Sequence, residues 1–187
     1  LPKFVALNAT VDFAGLVGLE SFLPLELFDL EVGRNLGPIV GVGSTAYVDF
    51  ASSFETAPGK GDGKFRVETG SDPVWIDYNS ELIRVVIGFA NLDLLGIVTA
   101  SGSFAFEKGP VHEVTLSDGT TKKTVSAMTL GGSDLNIFVG INGPYRPDVN
   151  DDHRIDDQDP VNDSAFGFVI ENADFGVVIM TPTDPND

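Results

Sequence analysis

Glycine and proline break this chain every dozen residues or so, with 21 Gly and 11 Pro among 187 residues. Between the breaks, apolar and polar residues alternate with a period of two. In residues 97–107, Val98, Ala100, Gly102, Phe104 and Phe106 fall on one side, and Thr99, Ser101, Ser103 and Glu107 on the other. Phe28, Leu30 and Val32 alternate with Asp29, Glu31 and Gly33 in the same way. A helix needs apolar residues at a spacing of three to four, whereas this rhythm is that of a strand with one covered face. Residues 82–89, 135–141 and 166–180 are apolar on both sides and predict strands that are covered twice, or that face a neighbouring molecule.

The intervening residues carry turn chemistry. Asp118-Gly119, inside Ser117-Asp118-Gly119-Thr120, predicts a type I′ hairpin between strands at 111–116 and 124–130. Pro58-Gly59-Lys60-Gly61-Asp62-Gly63 forms a glycine-rich loop before a strand at 64–68. Gly131-Gly132 and Asn142-Gly143-Pro144 are expected to close other strands. The total is roughly ten strands and no amphipathic helix, with a short helical turn as the alternative within residues 16–30, where Pro24 interrupts the spacing. The predicted class is all-β: an antiparallel β-sandwich-like module, with a β-solenoid as the alternative.

Hydrophobic residues make up 42% of the chain and include 14 Phe, enough for one sizeable core or two small ones. The formal net charge of −17 excludes a nucleic-acid partner, since nothing here neutralises a phosphate backbone. An anionic membrane surface is excluded for the same reason, no stretch predicts membrane insertion, and cations are the natural partners. There is no Cys, so the chain has neither disulfides nor thiolate metal ligands.

The sharpest local signal lies near the C-terminal end. Residues 148–163 hold seven Asp, opposed by Arg154. A twelve-residue calcium loop places oxygen ligands at positions 1, 3, 5, 7, 9 and 12, the seventh through its backbone carbonyl. Counting from Asp148 gives Asp148, Asn150, Asp152, the Arg154 carbonyl, Asp156 and Asp159. Ile155, at position 8, is placed to anchor the loop. Two features depart from the pattern: His153 stands at position 6 in place of Gly, and position 12 is Asp, whose side chain is short. The alternative is a solvated acidic turn, but such crowding of carboxylates favours a cation that relieves their repulsion. Asp151, Asp157 and Asp163 are outer candidates.

Four stretches carry a resemblance to a known family: ALNATVDFAGLVGLESF, IVTASGSFAFEKG followed by VTLSDGTT, SAMTLGGSDLNIFVGINGP, and SAFGFVIENADFGVVIMTPTD. Together they resemble the repeat unit of giant, calcium-associated, adhesin-like tandem-repeat proteins of bacterial surfaces, from about Ala6 to Asp184. The loop at 148–159 resembles a dockerin-type calcium loop, which likewise opens Asp-Val-Asn and ends in Asp. The resemblance implies an extracellular structural or adhesive role at the bacterial cell surface and no catalytic residues. Residues 50–79, with the lone Trp75, depart from the pattern and are expected as an insertion.

One module is therefore expected over residues 1–180, with 181–187 (TPTDPND) as a linker that would run into Leu1-Pro2-Lys3-Phe4 of a next copy. The start at Leu1, without Met, reads as an excised or processed piece. Val5–Gly15 (VALNATVDFAG) and residues 168–178 (FVIENADFGVV) share an apolar pair, Asn-Ala and Asp-Phe, a weak internal likeness.

Other signals point elsewhere only weakly. Gly41-Val-Gly43-Ser-Thr-Ala46 has the spacing of a dinucleotide fingerprint, but residues 46–50 alternate as a strand where that motif requires a helix. His112 and His153 have no partner spacing for zinc or for a nucleophilic triad, and His112 is expected on an exposed strand. Trp75 and Tyr78 form either a sugar-stacking platform or part of the core. The expected function is a non-enzymatic, calcium-stabilised module docking end to end with other copies in a fibre, stalk or adhesin; the alternative is a module that binds glycans or cells.

Overall fold

The computed structural model describes residues 3–18, 23–38, 46–54, 63–150 and 152–184. The chain is all-β. Strands β1 (Val5–Gly15), β2 (Leu25–Leu36), β5 (Leu82–Leu94), β6 (Val98–Thr115), β7 (Lys122–Ile141) and β8 (Phe166–Pro182) make one antiparallel sheet in that order. Between β2 and β5 lie a single helical turn, α1 (Phe50–Ser53), and a two-stranded ribbon of β3 (Phe65–Val67) and β4 (Val74–Ile76). The stretch expected as an insertion thus stands outside the main sheet, and β2 pairs directly with β5.

Eight strands are described where roughly ten were expected, because several expected breaks are bulges inside long strands. Gly109-Pro110 falls within β6 at a register shift between Lys108 and Val111. Gly131-Gly132 does not end β7, which runs on to Ile141. A bulge takes up a glycine or proline by leaving a residue unpaired and kinking the strand, so such residues need not terminate it. Residues 46–50 form no strand. Asp49 instead caps α1, its carboxylate accepting from the Ser52 backbone N–H at 3.0 Å and from the Ser52 hydroxyl at 2.8 Å. The stretch 39–45 of the dinucleotide-like motif, the glycine-rich loop at 58–62, residues 19–22 of the helix-like stretch and the ends of the expected junction lie outside the described residues.

One line of irregularity crosses all six strands. The β1–β2 ladder skips the Asp12/Asp29 pair, and the β2–β5 ladder skips Asp29/Gly88. Register shifts then follow between Ile87 and Ala90, between Ser101 and Ser103, and around Leu135. Asp29, Gly102, Asp134 and Asn172 on this line have positive φ, of 52°, 138°, 52° and 53°. A Cβ on Gly102 would stand 2.7 Å from the Leu135 side chain, so both conformation and space require glycine there. Aligned bulges kink neighbouring strands at the same level, creasing the sheet into two halves. Asp12 of β1 and residues 172–174 of β8 are where the two edge strands reach this crease, inside the two stretches that resemble each other. The internal likeness of the sequence therefore maps onto the two edges.

Apart from Val125 on β7, the buried side chains of the described core fall in two groups. Near the α1 end, Phe50, Ile76 and Leu82 are buried, and so is Asn35, which is registered with Leu82, is 1% exposed and donates to the carbonyls of Val48 and Ser80 at 2.9 and 2.7 Å. Beyond the crease, Phe89, Ala90, Leu135 and Phe138 are buried with Thr99 and Ser101 beneath the loop that joins β7 to β8.

The β6–β7 hairpin forms where Asp118-Gly119 predicted it, but with a longer turn. Leu116 N–H bonds the Thr121 carbonyl, and of the two central residues only Gly119 has positive φ, whereas type I′ requires both. The Asp118 carboxylate closes the turn by accepting from the N–H groups of Thr120 and Thr121 and from the Thr121 hydroxyl. These bonds, the Thr121 hydroxyl foremost, lower the Asp118 carboxyl to about 2. Its folded pKa lies below the unfolded value of about 3.9. The turn's contribution is therefore complete above the unfolded value and is lost as pH falls toward about 2. An NMR titration of the Asp118 carboxyl carbon is expected to show that low midpoint, and a midpoint at the unfolded value would contradict the cap.

Candidate metal site

The loop joining β7 to β8 carries residues 148–159, and the sheet beneath it presents a polar row at the edge of the crease. Glu26 of β2 is registered with Asn91 of β5, Asn91 with Ser101 of β6, and Ser101 with Asn136 of β7. Asn91 donates to the His153 carbonyl, while Ser101 and Asn136 donate to the Ile155 carbonyl at 3.0 and 3.3 Å. The loop backbone thus lies across three strands and is held by side chains from each. Ile155 is half-buried in the seat expected of it at position 8. Arg154 lies over the Phe89 ring, its guanidinium carbon 5.1 Å from the centroid. The His153 ring is 5.7 Å from that of Phe28, and its Nδ1 is 3.7 Å from a Glu26 carboxylate oxygen.

Within the loop, short polar side chains fold back onto backbone N–H groups two to five residues ahead, as Asn and Asp commonly do in turns. Asp148 accepts from His153 N–H at 3.0 Å, Asn150 from Asp152 N–H at 3.3 Å, Asp152 from Arg154 N–H at 2.8 Å, and Asp156 from Gln158 N–H at 2.8 Å. His153, at position 6, has φ of 63°. The sharp turn usually made by glycine is therefore present, at a cost of about 1 kcal/mol for the side chain.

Asp159 closes the circuit. It is 2% exposed, and its two carboxylate oxygens accept from Val149 N–H at 3.3 Å and Asp156 N–H at 3.1 Å. Its carbonyl receives the Arg146 guanidinium, which is also paired with Glu171 at 2.7 Å. That hydrogen bond with Glu171 raises the Arg146 pKa further above its ordinary value.

The other oxygen of Asp148 is buried and has no hydrogen-bond partner. Buried carboxylate oxygens are costly unless paired, so this atom calls for a cation or a bound water. The donor set fits calcium in kind, being carboxylates, an amide oxygen and a carbonyl. Among the described residues, however, no three His, Cys, Asp or Glu side chains stand gathered as a metal-holding group. Asp148, Asn150, Asp152, Asp156 and Asp159 share one loop, with their side chains turned to the backbone. Asp151 lies outside the described residues, and Asp157 and Asp163 lie on the exposed side.

The aromatic pair divides. Trp75 is 40% exposed on β4 and lines an open depression of about 370 Å³ with Asn8, Thr10, Lys64, Pro73, Val74 and Asp77. The Tyr78 hydroxyl is 3.2 Å from the Leu7 carbonyl, to which it donates, and its ring end lies against Gly33. Burial raises the Tyr78 pKa above its ordinary value. His112 is exposed on β6.

Sequence reasoning missed Asn91, Ser101 and Asn136. Two of them carried a signal in hindsight: Asn91 between Ala90 and Leu92, and Asn136 between Leu135 and Ile137, are lone amides within apolar strands. Among the described residues no helix is long and apolar enough to cross a membrane. Comparison with protein-family models, curated proteins and solved structures finds no match to this chain.

Proposed function

We propose that the chain is a structural module of an extracellular bacterial fibre, stalk or surface adhesin, built by end-to-end docking of copies and stabilised by calcium. The observation that carries this is the state of the sheet's edges. Among the described residues β1 and β8 are the outer strands of the main sheet, with β1 touched by the ribbon where Asn8 donates to the Trp75 carbonyl, and large apolar residues stand exposed along both, from Phe4, Val5, Leu7 and Phe13 to Phe166, Phe168 and residues 177–180. Exposed apolar surface on this scale marks a face that is covered in the working assembly. Calcium would be held by Asp148, Asn150, Asp152, the Arg154 carbonyl, Asp156 and Asp159, and the positive charge it brings would offset carboxylate repulsion in a chain of net charge −17.

Sedimentation of the purified chain over a range of concentrations, in calcium and in chelator, tests both halves. Assemblies that grow with concentration are expected in calcium. A monomer under every condition overturns the modular reading. Thermal melts should rise with calcium, by about 2.7 kcal/mol of added stability at a hundredfold excess over the dissociation constant, and fall back with chelator. Melts that ignore both overturn the calcium site alone.

The half-exposed Trp75 above a polar-rimmed depression favours a second reading, a module that binds glycans or cells. Glycan-array binding that Trp75→Ala removes, with the melting temperature unchanged, would support it.

A further inference from the structure

Resting on the modular assembly proposed above, we infer that the docking contact is a strand-to-strand seam: the outer edge of β8 in one copy pairs antiparallel with the outer edge of β1 in a second copy of this chain.

Nearer its start β8 is met by the preceding loop, where Arg146 pairs with Glu171, but from Phe175 to Met180 its one strand neighbour among the described residues is β7. Val177, Val178, Ile179 and Met180 are 45–56% exposed. Consecutive strand residues point to opposite faces, so both faces are bare along this run. Edge strands are ordinarily guarded by Lys, Pro or covering segments. From Phe166 to Thr181 there is no Lys, Arg or Pro. The unpaired N–H and C=O groups of such an edge are a template for one more strand.

Three observations select a second copy as the occupant. The first is charge. The chain carries −17, yet residues 175–183 hold no charged side chain, and β1 holds only Asp12. A cationic partner would be drawn to the acidic remainder of the surface. Two copies that repel each other elsewhere can meet along this neutral seam. The second is shape. β8 crosses the crease at Asn172, where φ is 53°, and β1 crosses it opposite Asp29. β1 meets the same crease at Asp12, where its ladder with β2 skips one pair, so the two outer edges share a landmark at one level. The third is parity. The sheet has six strands in antiparallel order, so β1 and β8 run in opposite directions. A copy added by β1 onto β8 keeps the alternation intact, and the same operation can be repeated. Such a heterologous contact propagates as a filament, or closes as a ring if the rotation allows. Superposing the crease, with Asp12 opposite Ala173, places Leu7 beside Val178.

The absence of native Cys gives the test a clean background. Two single-cysteine chains, Val178→Cys and Leu7→Cys, are mixed in calcium under mild oxidation. The mixture is expected to give several-fold more disulfide-linked dimer than either chain alone. Val178→Lys in the otherwise native chain is expected to abolish assembly while its far-UV circular dichroism stays that of the parent. Efficient linkage of Val178→Cys with itself, without enrichment in the mixture, overturns β8-to-β1 pairing in favour of a closed β8-to-β8 dimer. If the native chain assembles but no linkage forms and Val178→Lys assembles normally, the seam is refuted and the modular reading stands. If the native chain stays monomeric, both fall.

Discussion

Replacing Asp159 with alanine is expected to lower the stability of the metal-free chain by about 2–6 kcal/mol, read as a shift of the urea denaturation midpoint in chelator. The magnitude follows from the two N–H groups that its carboxylate holds. Those of Val149 and Asp156 would be left in a part-buried place without partners, at about 1–3 kcal/mol each. Asp159→Asn separates structure from charge. Its amide oxygen can still accept from Val149, but its NH2 cannot accept from Asp156, so about half of the loss should remain. The Asn variant should also lose most of the calcium-dependent rise in melting temperature, since the loop's final carboxylate becomes neutral. Were both variants to melt like the parent in chelator, Asp159 would not be the closing strut of the loop. Were Asn alone to keep the full calcium response, position 12 would not be a ligand.

The loop was legible in the sequence because everything that defines it is local. Asp148, Asn150, Asp152, Asp156 and Asp159 bond to backbone groups within the same loop, and spacing along the chain captures such order. Its seat was not legible. Asn91, Ser101 and Asn136 come from three strands, and they form a row only because of register. That register depends on the bulges of the crease beside the row, and a single-residue slip would turn each side chain to the other face. Strand periodicity likewise disclosed the class. It did not disclose the crease, because Asp29, Asp134 and Asn172 look like ordinary polar alternates until their left-handed φ is known. The apolar runs at 82–89 and 166–180 show the ambiguity plainly. The two runs look alike in sequence, yet Phe89 is 5% exposed in the sheet centre while Val178 is 56% exposed at its edge.

Among core positions, Phe138 should respond most strongly to truncation. It is 3% exposed on β7, and its ring is ringed by backbone where other strands would present side chains. A Cβ built on Gly140, Gly143 or Gly167 would stand 2.6, 2.6 or 2.9 Å from that ring. Gly140 and Gly167 are also partners across β7 and β8. The three glycines therefore make room for one large ring, and close strand approach takes the place of side-chain packing. Phe138→Ala would empty this cradle, which backbone cannot refill by changing rotamer, for an expected loss of about 3–5 kcal/mol. Gly140→Ala attacks the same fit from the other side, since its Cβ would also meet the Phe166 carbonyl oxygen at 2.3 Å. It should destabilise by overpacking, about 1–3 kcal/mol or more. Because the Phe138 ring stacks on Tyr145 at 6.3 Å, at the start of the acidic loop, loss of the ring should also loosen that loop. Hydrogen exchange at the N–H groups of Val149, His153 and Asp156 should then quicken in Phe138→Ala under conditions where the chain remains folded. Unchanged exchange at those three, beside a lowered midpoint, would mean that core and loop are energetically separate units.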